Sequence, residues 1–349
     1  MISEASRKLV VKAARAGWPE EDIALAVKYS EHLNNSGLPT IFDVEHLSRL
    51  SGFSRQFLYA AANGQGKFYR KFSIKKRDGS ERDLVEPLPD LKSFQRWFDE
   101  LVGVKLSVSK YVHSYRVGRS IKTNARFHLG QDLVVRLDVR DFFGSTTVTK
   151  VRNLIYSVGY TKSIAHLISN LVTLDGSLPQ GAPSSPSISN AIYRDFDERV
   201  GAYSSANGWR YTRYADDLTF SGSGCQYSLI SKVGELLDKE GLVLNYKKIR
   251  VMRRSSRQIS CGVVLNDLLG PTRNMRRDFL QEVYFIKKYG LAGHIDRRGI
   301  DTPNYLETLI GRGAHIIWMM SQHPNRQGPY KKAVAFLKSA SQSSGSAPD

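Results

Sequence analysis

The segment Tyr211–Phe220 carries two adjacent carboxylates between two short β-prone stretches. This pattern predicts a β-hairpin with Asp216 and Asp217 at its tight turn. An acidic turn alone is typical of a solvated loop, because Asp is a favoured turn residue. A third carboxylate, Asp138, directly follows the apolar stretch Leu133–Leu137, which predicts a strand in the middle of a sheet. An acid in that position is costly to bury without a cation, so the three acids predict a metal-dependent nucleotidyl-transfer site.

Asp138 has an alternative role as a helix N-cap, but Asp141 or Ser145 suits that role better. The loop Leu178–Pro186 lies between the acidic segments, and its Pro and Gly residues fix the backbone direction. The predicted elements run in the order strand, helices, hairpin, helix, strand. This order predicts an α+β sheet backed by helices, in which acids from two strands converge.

A further hairpin is predicted at Phe72–Val85, where an Asp-Gly turn at residues 77–80 joins two alternating stretches. It brings together basic residues that include Lys76 and Arg82. Such a cluster suits binding of a triphosphate, and solvation of a surface would explain the same charges.

The segment Tyr115–Gly130 interleaves Arg and Lys with aromatic residues, which is typical of a nucleic-acid path. Within it, His128 is predicted to be structural or to contact RNA, because a lone histidine is more often a hydrogen-bonded structural residue than a general base. Basic and apolar residues also alternate over residues 273–288. That pattern favours a helix with one face on the protein and the other on a duplex.

The composition favours a polyanionic partner. The chain has 349 residues, and 51 Lys and Arg against 33 Asp and Glu give a net charge of +18. Dispersed basic residues gain affinity for phosphates by releasing counterions. An anionic membrane is the competing partner, but the sequence has no long apolar span and no suitable amphipathic segment. We therefore expect a soluble globular protein that binds nucleic acid and no membrane.

The two cysteines, Cys225 and Cys261, have no near neighbours of metal-ligand type, which argues against a disulfide scaffold and a zinc site. The first residues are charged and are not followed by an apolar core, so no secretory signal is expected. A reducing cytoplasm is the expected location.

Helical spacing is present over residues 3–33, and Phe42–Ala62 predicts two short helices broken at Ser51-Gly52. These two short helices are similar to a helix-turn-helix, but a helical cap packed on the body of the protein is the favoured interpretation. At the other end, the Ser-rich residues 339–349 predict a disordered tail. The expected domains are a helical extension over 1–64, a core over 65–265, a helical domain over 266–338 and the tail.

Four segments, in order, resemble the reverse transcriptases, and together they cover most of residues 65–265. They are Leu137–Phe143, the Gln180–Pro186 loop, Tyr214–Asp217 and Leu244–Lys248. Residues 124–128, Asn-Ala-Arg-Phe-His, also match the Asn-Ala-any-any-His signature of the bacterial retron type. One departure is Ser260-Cys261-Gly262, because retron enzymes commonly have Val-Thr-Gly there.

This resemblance implies a right-hand fold of fingers, palm and thumb, two Mg²⁺ ions and dNTP substrates. The implied metal ligands are Asp138, the carbonyl of Val139, Asp216 and Asp217. The implied nucleotide-binding residues are Lys76, Arg82, Asp141, Phe142, Phe143, Gln180, Gly181 and Lys248. The candidate RNA-binding residues are Asn124, His128, Gly262, Arg276 and Arg277.

Two of these roles have alternatives. Phe143 stands where the family places a ring beneath the incoming sugar, and it is equally a candidate core aromatic. Lys248 is a candidate proton donor to pyrophosphate or a structural ion-pair partner.

The retron resemblance further implies a structured noncoding RNA, priming from an internal 2′-hydroxyl, a branched RNA–DNA product and an effector protein in phage defence. The alternatives are another bacterial reverse transcriptase, stand-alone or CRISPR-associated, and a non-catalytic RNA-binding scaffold. The three acids argue against the scaffold, because a scaffold has no physical need to bring carboxylates together.

Overall fold

The computed structural model of the protein describes residues 4–75, 81–300 and 303–344. The helices in this part of the chain are α1 Glu4–Arg15, α2 Glu20–Asn35, α3 Val44–Ser51, α4 Arg55–Asn63, α5 Pro89–Leu101, α6 Ile121–Phe127, α7 Val148–Ser157, α8 Lys162–Val172, α9 Ser185–Ile192, α10 Arg194–Ala206, α11 Gln226–Lys239, α12 Arg273–Arg298, α13 Tyr305–Met319 and α14 Gly328–Ser344. The strands are β1 Tyr69–Lys75, β2 Glu81–Pro87, β3 Leu133–Arg140, β4 Trp209–Tyr214, β5 Asp217–Gly222, β6 Val243–Leu244, β7 Arg250–Arg253, β8 Ile259–Ser260, β9 Val263–Val264 and β10 Gly270–Pro271.

The chain divides into two compact units. The first comprises the chain up to Val117 together with Val139–Ala202 and Ile230–Asn245. The second comprises Gly118–Asp138, Tyr203–Leu229 and the chain from Tyr246 onward. The units are thus discontinuous in sequence, unlike the four consecutive domains expected, and the limits of those domains stay a prediction.

The core of the first unit joins the N-terminal helices to the helices that follow. Leu47 of α3 and Leu58 of α4 are fully buried in one apolar cluster with Phe94 and Phe98 of α5. Burial of each such side chain stabilises the folded state by about 1.5–3 kcal/mol. The helices α3 and α4 therefore act as a helical cap, which is the interpretation that the sequence favoured over a DNA-binding pair.

The predicted hairpin near residue 75 is present as β1 and β2. The strands pair antiparallel from Tyr69 opposite Pro87 to Lys75 opposite Glu81. The turn that joins them, with Lys76, lies outside the described residues.

The strand β3 carries the central sheet. In the second unit, residues 133–138 of β3 pair antiparallel with β5. On the other side of β3, residues 133–136 pair with β7. The strand β4 pairs with β5. In the first unit, Val139 and Arg140 at the end of β3 pair with β6. The apolar residues of β3 are buried, and β3 has hydrogen-bonded neighbours on both edges, as a central strand does.

Two boundaries differ from the sequence-based expectation. The helix expected at residues 187–200 is broken at Tyr193, whose buried ring lies 5.2 Å from that of Phe142 and whose hydroxyl is 2.9 Å from Thr146 Oγ1. This tertiary packing overrides the local preference for one helix. The tail expected to be disordered from residue 339 is helical through Ser344, because α14 continues past the buried Leu337.

The second unit ends in a helical bundle. Phe279 of α12, Leu309 and Ile316 of α13 and Leu337 of α14 are fully buried in one cluster. The 26-residue α12 is interrupted at Gly290, where φ is 74° and ψ is 167°. A residue without Cβ adopts this backbone conformation readily, so the helix bends there.

Candidate active site

Asp216 of the acidic segment lies on a two-residue hairpin loop, and Asp217 is the first residue of the strand that follows. Tyr214 of β4 pairs with Asp217 of β5, which leaves Ala215 and Asp216 as the loop. Ala215 is buried and has φ of 55°, a left-handed conformation that costs a non-glycine residue about 1–2 kcal/mol. Buried Arg213 donates a hydrogen bond of 3.3 Å to the carbonyl of Ala215 and helps to hold the loop. Such strain persists where the surroundings enforce it, which marks functional loops.

The third carboxylate lies directly across the sheet from this loop. Asp138 of β3 is the antiparallel partner of Asp217. Directly opposed residues have Cα atoms about 4.5–5.5 Å apart. The sequence-based prediction that acids from two strands face each other therefore agrees with the observed register.

Asp217 lies in a desolvated and electrostatically crowded position. Burial raises the pKa of its carboxyl to about 6; Arg136 opposes this rise, while the charges of Asp216 and Asp138 add to it. Nε of Arg136 is 3.2 Å from Oδ1 of Asp217, yet this buried oxygen has no hydrogen-bond partner. A buried carboxylate oxygen without a donor is unstable unless a cation approaches it.

Asp138 is almost fully buried and is held by Lys248, which follows β6 in a short 3₁₀ turn. Nζ of Lys248 donates hydrogen bonds of 2.9 and 3.0 Å to the two carboxylate oxygens of Asp138. The ammonium group therefore supplies positive charge at the point where a metal ion is expected. This pairing with Asp138 gives Lys248 a structural role, and proton donation remains its alternative role.

The carboxylate oxygens of these residues are suitable ligands for a divalent cation, although the side chains do not form a closed cluster in the observed state. Hard oxygen ligands are those that Mg²⁺ prefers. Asp217 offers an unpartnered buried oxygen, and the fields of Asp138 and Asp216 both act on it. Among the described residues, no three Asp, Glu, His or Cys side chains stand close enough to be recognised as a metal site.

Apart from Lys248, which belongs to the second unit, the residues expected at the nucleotide belong to the first unit. Phe142 is buried, and Phe143 is partly buried with its ring 5.5 Å from that of Phe142. The exposed Asp141 has φ of 44°, and its carbonyl accepts from the amide of Ser145. The N-cap of α7 is Thr147, not Asp141 or Ser145, because the Thr147 hydroxyl accepts from the amide of Lys150.

The Gln180–Gly181 segment lies against β2. The amide of Val85 donates a 3.0 Å hydrogen bond to the carbonyl of Gln180. Gly181 has φ of 132°, and a Cβ atom there would lie 2.8 Å from the carbonyl oxygen of Val85. Glycine is therefore required by both conformation and space. The loop exposes the side chain of Gln180, while Arg82 lies in β2 opposite Ile74.

Asn124 and His128 lie inside the protein and not on an RNA-facing surface. Both are fully buried, and they are one turn apart at the end of α6. Asn124 accepts a 2.6 Å hydrogen bond from Thr212 of β4 and donates one of 3.0 Å to Ser260 of β8. The expectation that these side chains contact RNA is thus corrected: burial leaves no polar atom for it, and both act through the strands that they join.

The hydrogen bonds of His128 place a proton on Nε2. Nε2 is 2.7 Å from Thr212 Oγ1, and Nδ1 is 2.7 Å from Ser221 Oγ. Since the single hydroxyl proton of Thr212 is donated to Asn124, Nε2 of His128 must carry the proton that reaches Thr212. Nδ1 pairs with the hydroxyl of Ser221. His128 therefore ties α6 to β4 and β5, the two strands of the acidic hairpin.

The Ser260-Cys261-Gly262 segment forms the turn between β8 and β9. Cys261 and Gly262 have φ of 48° and 78°, as a two-residue type I′ hairpin loop requires. The glycine of the family signature is kept because the second loop position needs positive φ. Ser260 lies 2.8 Å from Thr219 of β5, which connects this turn to the acidic hairpin.

The basic residues predicted to meet RNA on α12 have different surroundings. Arg277 is exposed and lies 3.4 Å from Asp278, whereas Arg276 is half-buried. No helix within the described ranges is both long and apolar enough to span a bilayer.

The sequence reasoning missed Arg136 and Cys261. Arg136 precedes Asp138 by two residues on a strand, and this spacing places both side chains on one face of the sheet. Strand alternation alone would therefore have indicated it. The half-buried Cys261 thiol has its pKa raised to about 12 by burial and by nearby Asp217, whereas hydrogen bonding to Ser228 lowers the pKa of exposed Cys225.

An antiparallel sheet that opposes Asp138 to Asp217 beside a strained acidic turn is the palm arrangement of a template-copying polymerase. The family model described as reverse transcriptase (RNA-dependent DNA polymerase) matches residues 74–276. The chain thus has the right-hand polymerase fold and is an RNA-directed DNA polymerase.

Individual relatives narrow this assignment. Retron Mx162 reverse transcriptase of Myxococcus xanthus is 34% identical over 338 residues, covering 86% of this chain and 69% of the relative. Retron Mx65 reverse transcriptase of the same organism is 35% identical over 69% of this chain and 62% of the relative. Retron Ec86 reverse transcriptase of Escherichia coli is 30% identical over 74% of this chain and 84% of the relative. The chain belongs to the reverse transcriptase family, within the retron group.

Among solved structures, the chain is similar to a foamy viral protease-reverse transcriptase in complex with an RNA/DNA hybrid. The TM-score is 0.38 at 16% identity, over 77% of this chain and 33% of that one. Similarity at this level carries no inference about individual residues.

Proposed function

We propose that this polymerase binds a structured noncoding RNA and copies part of it into DNA, starting from an internal 2′-hydroxyl to give a branched RNA–DNA hybrid. The proposal includes a bacterial cytoplasmic location and an effector protein in phage defence. The resemblance to retron enzymes supports it, through relatives at 30–35% identity. The net charge of +18 supplies the electrostatic attraction that such an RNA requires.

The observation that carries the catalytic part is the register of Asp138 opposite Asp217, with Asp216 on the adjoining loop. We assign Asp138, Asp216, Asp217 and the carbonyl of Val139 as the ligands of two Mg²⁺ ions. When bound, these ions activate the primer hydroxyl and neutralise the leaving pyrophosphate.

The protein's own side chains prepare the site. Arg136 and Lys248 each neutralise one carboxylate in the observed state, which keeps the opposed acids from repelling each other. The strained loop at Ala215 fixes the position of Asp216 before substrate arrives. Preorganisation of this kind lowers the cost of arranging charge during the reaction.

The nucleotide contacts are assigned on the family pattern. We propose that Asp141, Phe142 and Phe143 lie beside the incoming nucleotide, with the Phe143 ring excluding a 2′-hydroxyl. Gln180 and Gly181 line the pocket, and Lys76 and Arg82 meet the triphosphate. Lys248 is proposed as a further nucleotide contact.

For RNA, we retain Gly262, Arg276 and Arg277 as contact residues. Asn124 acts indirectly, by joining Ser260 of β8 to Thr212 of β4, and His128 by joining α6 to the two strands of the acidic hairpin.

The test is primer extension by the purified protein with its neighbouring transcript, dNTPs and Mg²⁺. We expect Asp216→Asn to abolish extension, because it removes a charge at the ligand position while keeping the side-chain shape. The matched control is Asp195→Asn, since Asp195 is an exposed acid on α10, and it should extend normally. Absence of extension by wild type would refute the polymerase mechanism.

The retron part has its own readout. DNA attached to RNA through a 2′-linkage should shift in a denaturing gel after RNase treatment and be released by debranching. If the protein copied any primed RNA as well as its own transcript, the retron proposal would fail while the polymerase assignment stood. The stand-alone or CRISPR-associated type would then be the better description.

A further inference from the structure

The second unit contains a strongly basic cavity of about 370 Å³ beside the β8–β10 sheet. Its walls come from the loop between β9 and β10, the first turns of α12 and the turn that follows α13. Its lining includes four arginines and one histidine, Arg257, Arg273, Arg276, Arg326 and His323. The one acid in the lining, Asp267, is exposed and has Arg254 3.2 Å away. The charge that faces the cavity is therefore almost entirely positive.

The four arginines have no anionic partner of their own. Within the part of the chain that the structure describes, none of their guanidinium groups makes a side-chain hydrogen bond or an ion pair. Nε of Arg276 is buried and lacks a hydrogen-bond partner altogether. A buried donor without an acceptor costs free energy, and an anion bound to the same guanidinium group would offset that cost.

The walls are fixed before any ligand arrives. The Asn266 side chain accepts from the amide of Gln258 and donates to the carbonyls of Arg254 and Ser256. On the opposite wall, the buried Gln327 donates a 2.9 Å hydrogen bond to the carbonyl of Met320 and holds the turn that carries Arg326. A pre-formed cationic site loses little conformational entropy on binding.

The shape and charge indicate the ligand. Arginine presents a planar fork of donors that matches phosphate oxygens. The concave shape accommodates a chain end or a small anion. The N-terminus of the long helix α12, at Arg273, adds favourable partial charge for an anion. Four guanidinium groups exceed the charge of one phosphate and match several linked phosphates.

We infer that this cavity is a binding site for an oligophosphate group of two or more linked phosphates, separate from the carboxylate site and independent of metal. The group has two chemical sources, the 5′-triphosphate end of an RNA or a free nucleoside triphosphate. The RNA source rests on the proposed function, because it requires that the polymerase carries a transcript. Arg276 lines the cavity, whereas its neighbour in sequence, Arg277, does not.

The first experiment measures anion binding to the full-length protein freed of nucleic acid. Isothermal titration is done in EDTA, so that triphosphate binding at the carboxylates cannot contribute. Tripolyphosphate should bind saturably and more tightly than orthophosphate or sulfate. Each guanidinium group removed should weaken tripolyphosphate binding about tenfold, as expected for charge-assisted hydrogen bonds near a surface.

The variants are Arg326→Gln, Arg276→Gln and the double variant, with Arg298→Gln as the control. Arg298 is an exposed arginine at the far end of α12 and is outside the cavity. Equal binding by wild type and the double variant, or no saturable binding, would overturn the inference. Should the double variant unfold, Arg326→Gln alone decides the matter, because Arg326 is exposed and its replacement leaves the packed residues in place.

A second comparison identifies whether an RNA 5′ end or a free nucleoside triphosphate supplies the oligophosphate group. A short RNA with a 5′-triphosphate is compared with the same RNA carrying a 5′-hydroxyl, and ATP is added as a competitor. A preference for the triphosphate end that disappears in the double variant identifies the RNA, and equal displacement by ATP identifies the free nucleotide. Extension of an unrelated primed RNA is measured in parallel. Its retention in Arg326→Gln, a residue with no assigned role in catalysis or RNA contact, separates a failure at this cavity from a failure of the polymerase.

Discussion

Replacement of His128 by alanine should destabilise the protein without removing any RNA contact. The ring makes two 2.7 Å hydrogen bonds, to Thr212 and Ser221, and is fully buried. Each bond contributes about 1 kcal/mol net. The cavity left by the ring costs about 1–2 kcal/mol more. The free energy of unfolding should therefore fall by about 3–4 kcal/mol, which lowers the thermal midpoint by roughly 5 °C.

The assay is thermal unfolding of wild type and His128→Ala, together with RNA affinity measured well below both midpoints. His315→Ala is the matched control, because His315 is an exposed histidine in the same unit, stacked only on Trp318. It should change the free energy of unfolding by less than about 0.5 kcal/mol. An unchanged midpoint for His128→Ala together with weaker RNA binding would refute the reasoning and return His128 to the RNA surface.

The remaining predictions concern the active site. At a hundredfold excess over its Kd, Mg²⁺ should stabilise wild type by about 2.7 kcal/mol and so raise its unfolding midpoint. Calorimetry should show no such rise in the midpoint of Asp216→Asn. Lys248→Ala should lower the Mg²⁺ concentration needed for half-maximal extension, because the ammonium group no longer competes for Asp138; a fall in kcat alone would indicate proton donation instead. Phe143→Ala should raise ribonucleotide incorporation relative to dNTPs, and an unchanged ratio in competition assays would remove the steric role. Gly181→Ala should lower stability by about 1–2 kcal/mol or more in denaturant unfolding, because its φ is positive and its Cβ meets backbone; an unchanged midpoint would contradict this.

The sequence predicts the acidic centre well because its signals are local. An apolar strand ending at Asp138 and a two-residue loop between alternating strands determine their own elements. The opposition of Asp138 and Asp217 then follows from antiparallel pairing of β3 with β5. Both helices of the cap and the hairpin of β1 and β2 are predicted for the same reason.

What the sequence does not reveal depends on contacts between distant residues. The pairing of Lys248 with Asp138 spans 110 positions, and no local pattern encodes it. The break at Tyr193 comes from packing on Phe142, which overrides helical propensity. The burial of Asn124 also escaped the sequence, since a polar residue within a basic segment is expected at the surface until the strands that cover it are placed, whereas a structural role was one of the two predicted for His128.

The two cysteines differ in reactivity as a result of where they lie. The thiolate is the reactive form of cysteine, and the raised pKa of Cys261 keeps that thiol protonated at neutral pH. Cys225 is exposed, with a lowered pKa, in the connection between β5 and α11. A maleimide dye should therefore attach at one position, a few residues beyond the strand that follows the catalytic loop. The natural chain thus provides a single labelling position beyond the end of β5 that is remote from the catalytic loop, without substitution of any residue.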